Sequence, residues 1–334
     1  MMHNDNTRLF VGPMSKEIVD NVIEYTDTRK KPLGLIPSRR QIENSGGYVN
    51  NWSTKQFCDY LHQKTNNVLL VRDHGGPLQG NSPDDGMESM LCDVENNFNI
   101  LHIDPWKSVD NVDDGIRKTL QILEKVCLKD EKIKFEIGTE ASIFPYSPDD
   151  LYKIIQSVYK FLGSDADRVK YAVVQSGVQI SGTSNIGVYN RERLKDMISA
   201  VHSFGLLSKE HNGDYLTKQE IRKRVVLGLD SINIAPEFGV MQTREFLKTA
   251  FSKGDFVSAY QTCEESKKYS KWVTENVRLD PDKNKKLIIE VSGHYNFTKE
   301  PFLSKTEKIK KHFRDAIFNR FDEIVSIWDD MEEK

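Results

Sequence analysis

The chain has 334 residues, 38% hydrophobic and 29% charged, enough apolar material for a large core and enough charge for a solvated surface. A formal net charge of −3 leaves no basic excess to neutralise phosphate backbones, so nucleic acid is not an expected partner. No run approaches the ~18 apolar residues of a membrane span, MMHNDNTRLF has no signal-peptide pattern, and Cys58, Cys92, Cys127 and Cys263 form no CxxC pair, so a cytoplasmic protein with reduced thiols is expected.

Short β-branched or apolar runs recur along the chain with helical patterns between them, the beat of repeated βα units. Strands are expected at about 8–12 (RLFVG), 33–37 (LGLIP), 67–72 (NVLLVR) and 99–103 (NILHI). Four more are expected at about 133–138 (IKFEIG), 170–175 (KYAVVQ), 205–210 (GLLSKE) and 230–234 (DSINI). SKEIVDNVIEYTD reads as an amphipathic helix capped by Ser15, with Ile18, Val19, Val22 and Ile23 on one face. DDGIRKTLQILEKVC is another, packing Ile116, Leu120, Ile122 and Leu123 inward. Eight strands alternating with helices is the count of a closed (β/α)8 TIM barrel.

The rhythm breaks near residue 240. The stretch from there to 282 is helical and polar, LDPDKNKK is a loop, and KLIIEVSG at 286–293 reads as one more extended segment. The chain closes on a long amphipathic helix whose Ile309, Phe313, Ile317, Phe321 and Val325 recur every four residues. Residues 1–240 are therefore expected to form the barrel, and 241–334 a mainly helical C-terminal extension packed on it.

Catalytic groups of such barrels lie at the C-terminal ends of the strands, and here those ends are polar. The second strand runs into Arg39, Arg40 and Gln41, the third into Asp73 and His74, the fourth into His102 and Asp104, and the fifth carries Glu136 and Glu140. The sixth ends on Gln175, the seventh on Glu210 and His211, and the eighth on Asn233. Each has a plain structural alternative: Asp73 as a turn cap beside Gly75 and Gly76, His74 and His102 as hydrogen-bonded core histidines, and one of Arg39 and Arg40 as a surface group. His74 and His211 with a nearby carboxylate or amide, Glu140 or Gln175, suit a borderline divalent metal such as Zn²⁺. Asp73, next to such a ligand, is placed for proton transfer, and the metal would stabilise an enediolate. That chemistry fits aldol cleavage of a ketose, and also fits a sugar isomerase or epimerase.

SRRQIENSGGY (38–48), VRDHGGP (71–77), LHIDPW (101–106), FEIGTE (135–140), AVVQSGV (172–178), KEHNGDYLT (209–217) and GLDSINIAPEF (228–238) follow one another at successive strand ends. In this order they resemble the class II, metal-dependent ketose-bisphosphate aldolases, and most closely the accessory, non-catalytic subunit type of the tagatose-1,6-bisphosphate aldolase family. The resemblance implies Asp73 as catalytic acid, His74 and His211 as zinc histidines, Asn233 as a substrate-contacting asparagine and Glu136 near the strand-five glutamate. Arg39, Gln41, Asp104, Asp214 and Gly182 are the expected substrate-binding positions. The chain departs from the catalytic subunits in three places. The sixth strand offers Gln175 and Gln179 where a zinc histidine is expected, Asp214 stands in the phosphate loop, and Pro236 replaces a phosphate-binding threonine. Either the metal is bound with fewer histidines, or the site is vestigial, or the substrate differs. The implied partners are a sugar phosphate and, through the terminal helix, a homo-oligomer or a complex with a catalytic aldolase subunit.

Overall fold

The computed structural model describes residues 7–332. Eight parallel strands form its centre: β1 (Leu9–Val11), β2 (Leu33–Leu35), β3 (Leu69–Gly75), β4 (Ile100–Ile103), β5 (Lys134–Ile137), β6 (Val169–Val174), β7 (Leu207–Glu210) and β8 (Ser231–Ile234). They close into a barrel in sequence order, β1 pairing with both β2 and β8. Each of the eight expected segments carries one strand, its ends displaced by up to a few residues.

Helices α1 (Lys16–Arg29), α2 (Thr54–Lys64), α3 (Met87–Glu95), α4 (Val112–Lys129), α5 (Pro148–Leu162), α6 (Arg191–His202), α7 (Lys218–Val225) and α8 (Pro236–Glu245) follow the successive strands. Their starts are written locally. Ser15 accepts the Ile18 N–H at the head of α1, and Ser53, Ser147 and Thr217 form capping boxes with Gln56, Asp150 and Glu220. A small hairpin, Ile180–Ser181 with Ser184–Asn185, interrupts the connection from β6 to α6.

The barrel interior is layered. Near the strand starts, Phe10, Val71, Ile100 and Tyr171 pack together, joined by Leu69 and Leu207. Gly34 leaves the room that Phe10 fills, since a Cβ there would stand 2.2 Å from the ring. Above this plug lies an ionic layer: the fully buried Lys209 ammonium sits 3.7 Å from the Phe10 ring centroid and 2.6 Å from Glu136 Oε2. The next level up belongs to the histidines.

Beyond α8 the chain forms α9 (Lys253–Ser266), the short α10 (Glu275–Leu279), α11 (Lys285–Ser292) and α12 (Phe302–Glu332). The segment expected to be extended, 286–293, is helical. Its run of Leu287, Ile288 and Ile289 is too short for periodicity to separate strand from helix, and a closed barrel leaves no edge to pair with, so the backbone satisfies itself as α11. The terminal helix buries the expected Ile309, Phe313, Ile317, Phe321 and Val325. It packs on α1 and α8 through Tyr25, Phe238 and Phe321, with ring centroids 5.2 Å apart for both the Tyr25–Phe321 and the Phe238–Phe321 pair. Among the described residues no helix is long and apolar enough to cross a membrane.

Candidate metal and acid–base site

Successive side chains of a regular strand point to opposite faces, so Asp73 and His74 should not share a site. The strand is not regular there. Between Arg72 and Gly75 the pairing of β3 with β4 slips by one residue, a bulge, and His74 adopts a left-handed backbone with φ 49°. The bulge brings both side chains into one cluster. Arg72 just before it anchors the strand outward, donating to both oxygens of Asp93 and to the carbonyls of Pro37 and Ile42. The following Gly75 and Gly76 let β4 approach closely: a Cβ on Gly76 would meet the Asp104 carbonyl oxygen at 2.4 Å.

Two histidines face each other across the cluster, each held from behind by a carboxylate. His74 Nδ1 lies 2.7 Å from Asp104 Oδ2, and His211 Nε2 lies 2.6 Å from Glu136 Oε1. Their opposite nitrogens converge on Glu140, whose Oε2 is 3.5 Å from both His74 Nε2 and His211 Nδ1. Asp73 stands 3.6 Å from His74 Nε2 and 3.8 Å from His211 Nδ1. Asp73, His74, His102 and His211 each offer a donor atom within 4.8 Å of the others.

The electrostatics call for positive charge at this spot. Burial disfavours a protonated His74, but Asp73, Glu140 and Asp104 outweigh it and push the imidazole up to about 10. Burial likewise opposes His211, which Glu136, Glu140 and Asp73 raise to about 9. The two glutamates are held below the usual carboxylate range despite their burial, Glu136 by Lys209 and the histidines, Glu140 by His74 and His211. His102 goes the other way, burial lowering it more than Glu136 and Asp104 raise it.

These atoms fit a metal. A tetrahedral ion with ~2.1 Å bonds to nitrogen and oxygen has ligand edges of roughly 3.4 Å, close to the 3.5 Å by which Glu140 Oε2 stands from both His74 Nε2 and His211 Nδ1. Glu140 Oε2 is buried with no hydrogen-bond partner among the described residues, and the two backing carboxylates are the supports that metal histidines characteristically carry.

Other expected site residues are engaged elsewhere. Gln175 spends its whole amide on structure, donating to the Thr139 and Phe144 carbonyls and accepting from Arg193 and the Tyr146 N–H, so it has no atom left for a metal. Arg39 is buried and bound to Glu43 and, through two bonds, to Asp84, which leaves it no charge to offer an anion. Gln41 accepts the Ser38 N–H and points its amide nitrogen at Met14. Asp214 is a helix cap, its Oδ1 accepting the N–H groups of Ala235 and Glu237 at the head of α8. Gly182 occupies the left-handed turn of the hairpin and donates to the Trp272 carbonyl. Asp104 supports His74 and also accepts from Gln79 and Thr139. Asn233 is buried at the end of β8, and neither of its amide atoms has a partner among the described residues.

Two further residues complete the arrangement: His102, whose plain alternative is a hydrogen-bonded core histidine, and Lys209, which the sequence does not single out. His102 accepts the His74 N–H on Nδ1 and pairs through Nε2 with the Gly138 carbonyl, bracing the bulge. Lys209 anchors Glu136 from below. A cavity of about 300 Å³ opens at the other end of the barrel among Leu69, Ile100, Lys134, Lys170, Tyr171 and Leu207, and its lining contains no histidine or cysteine.

No family model matches the chain, and no curated protein matches it in sequence. Solved structures do match in shape. A probable tagatose 6-phosphate kinase from Sinorhizobium meliloti 1021 superposes with a TM-score of 0.68 at 17% identity, over 97% of this chain and 87% of that one. The YdjI aldolase from Escherichia coli K12 gives 0.57 at 16% identity, over 96% and 91%. A candidate fructose-1,6-bisphosphate aldolase from Coccidioides immitis gives 0.59 at 10% identity, over 99% and 94%. At these identities the shared property is the fold, a closed eight-stranded barrel of the kind these aldolases use.

Proposed function

We propose that the protein is a metal-dependent lyase of the aldolase type, acting on a ketose that carries an anionic group. The observation that supports this most directly is the convergence of His74 Nε2, His211 Nδ1 and Glu140 Oε2, with a carboxylate behind each histidine. These three would hold the ion, for which Zn²⁺ suits the nitrogen and oxygen donors. Glu140 thereby takes the place of the histidine that the sixth strand lacks. A bound divalent metal supplies Lewis-acid polarisation of a substrate oxygen.

The chain's own groups do the rest. Asp73 keeps 14% of its side chain exposed and has no side-chain hydrogen bond among the described residues, so its carboxylate is free to take the proton of the substrate hydroxyl. As that proton leaves, the adjacent carbon–carbon bond breaks to give an aldehyde, and the electron pair stays with the ketone-derived fragment until it is protonated. Asp104 and Glu136 fix the orientation of His74 and His211, which makes Glu136 a positioning residue. Asn233 has both amide atoms available for a substrate hydroxyl.

Metal content of the purified protein, paired with a scan of sugar phosphates, tests this. Zinc or another divalent ion is expected near one per chain and should be lost in the His74→Ala/His211→Ala double variant. Asp73→Asn should keep metal and fold while turnover falls by roughly 10²–10⁴. Full occupancy in the double variant would sink the metal assignment. A metal-free protein inactive on every sugar phosphate would favour an accessory subunit, and products of unchanged carbon count would favour an isomerase or epimerase.

A further inference from the structure

We propose that Arg40, Lys107 and Lys271 form an anion subsite on the rim of the barrel mouth, suited to a phosphoryl group. In the aldolase reading above, on which this assignment of place rests, the subsite takes the phosphorylated end of a sugar whose reacting carbons lie at the histidines.

The three cations come from distant parts of the chain. Arg40 follows β2, Lys107 follows β4, and Lys271 lies between α9 and α10. Carbonyls of one short loop hold two of them: Lys107 Nζ lies 2.9 Å from the Leu78 oxygen and Arg40 Nε 3.4 Å from that of Gly80. The third is carried in by an aromatic bridge. Lys271 lies 4.3 Å from the ring centroid of Trp272, whose indole N–H donates to the Tyr295 hydroxyl. Tyr295 packs on Tyr48 at 4.7 Å, and the Tyr48 N–H donates to the Arg40 carbonyl.

Among the described residues none of the three has a carboxylate within ion-pair distance, whereas neighbouring Arg39 has two. They nevertheless sense one another. Lys271 is exposed to solvent; the protein around it, then Arg40 and Lys107, lower its ammonium from the usual lysine range, with Glu140 and Asp73 acting the other way. Lys107 is lowered by burial and Arg40, against Asp104 and Glu140. Unpaired like charges held together raise the energy of the folded chain. A dianionic phosphoryl group relieves that repulsion and accepts hydrogen bonds from all three. Gln79, between the two anchoring carbonyls, donates to Asp104 Oδ2, the same oxygen that backs His74, which sets this loop beside the proposed metal centre.

Calorimetric titration of the purified protein with inorganic phosphate is the test, with metal content measured on the same samples. Arg40→Gln and Lys271→Gln should each weaken phosphate binding by at least about tenfold, the worth of one charged hydrogen bond, with metal content unchanged. The same binding should survive in Lys134→Gln and Lys170→Gln, whose lysines line the cavity at the opposite end of the barrel. Absence of phosphate binding by the parent protein, unaltered binding by the rim variants, or loss in the Lys134 and Lys170 variants instead would each overturn the subsite. A metal-free protein whose phosphate binding is still lost in the rim variants would remove the aldolase reading and leave the subsite standing.

Discussion

Asp214 stands where the sequence suggests a sugar contact, and its environment gives it another task. Burial, then the neighbouring Glu237, push its carboxyl up to about 7, although the N–H groups of Glu237 and Ala235 favour the ion. Arg320 pairs with Glu237, so its charge is already engaged nearby. With a folded pKa above the unfolded value, the folded state holds a proton that the unfolded state has released between about pH 4 and pH 7. Stability from this group is therefore present at low pH and lost as pH rises through that window. Asp214→Asn keeps an oxygen for both N–H bonds and removes the titration. Relative to the parent it should gain on the order of a few kcal/mol between pH 4 and pH 8. Thermal melts of both proteins across that range check this, and parallel pH profiles would refute it.

The same residue scale shows what the sequence can disclose. His102 and Asp104 alternate along a strand, so their shared face is readable, while the use of Asp104 as the support of His74 depends on a bulge that no residue pattern announces. Alternation also places Lys209 with His211 on the inner face, and Glu210 outside, where it meets Arg224. Glu210 and His211 draw the eye at the end of the seventh strand, and the lysine one step below carries no comparable signal. Gln175 looks like a ligand by position alone; only the carbonyls of Thr139 and Phe144, brought in by long-range packing, show its amide to be spent.

At the scale of elements, the bulge in β3 is the device that turns a strand end into a site. It depends on Gly76, whose φ of 154° and close approach to Asp104 exclude a side chain. Gly76→Ala should push the Asp104 backbone away, loosen its hold on His74 and cost about 1–3 kcal/mol. Gly163 makes a suitable control, since it also has positive φ but a Cβ there would meet no atom within 4 Å. Gly163→Ala therefore carries only the backbone cost and should leave metal affinity alone. Denaturant melts and metal titration of both variants decide the matter: equal losses would mean the close approach at Gly76 is unimportant. Strands and capped helices are legible because their signals are local. The segment around Lys271 is not, because its place is set by the tertiary contact of Trp272 with Tyr295, and α11 reads as extended because a short apolar run suits either geometry.

Across the whole molecule, the barrel stacks an apolar plug, an ionic layer and the histidine cluster along one axis, so the site's rigidity is inherited from below. Lys209 is the joint between the levels: its ammonium lies against Phe10 and binds Glu136, which in turn fixes His211. Burial lowers the lysine's affinity for its proton, with Glu136 opposing that effect. Lys209→Met preserves the apolar stem but strips Glu136 of its buried lysine partner, leaving only the imidazole of His211 against it. Breaking such a pair from one side typically costs ~3–5 kcal/mol, and a loosened His211 should lower metal affinity by roughly 10–100-fold. Pairing it with Glu136→Gln separates the two effects. The double variant has no uncompensated carboxylate at this level, so most of the stability should return. Metal affinity should stay low, because the amide holds the imidazole more weakly than the carboxylate does. Denaturant melts alongside metal titration read both quantities. If Lys209→Met matched the parent in stability and metal binding, the ionic layer would be mere filling, and the orientation of His211 would have to come from the loop that carries it.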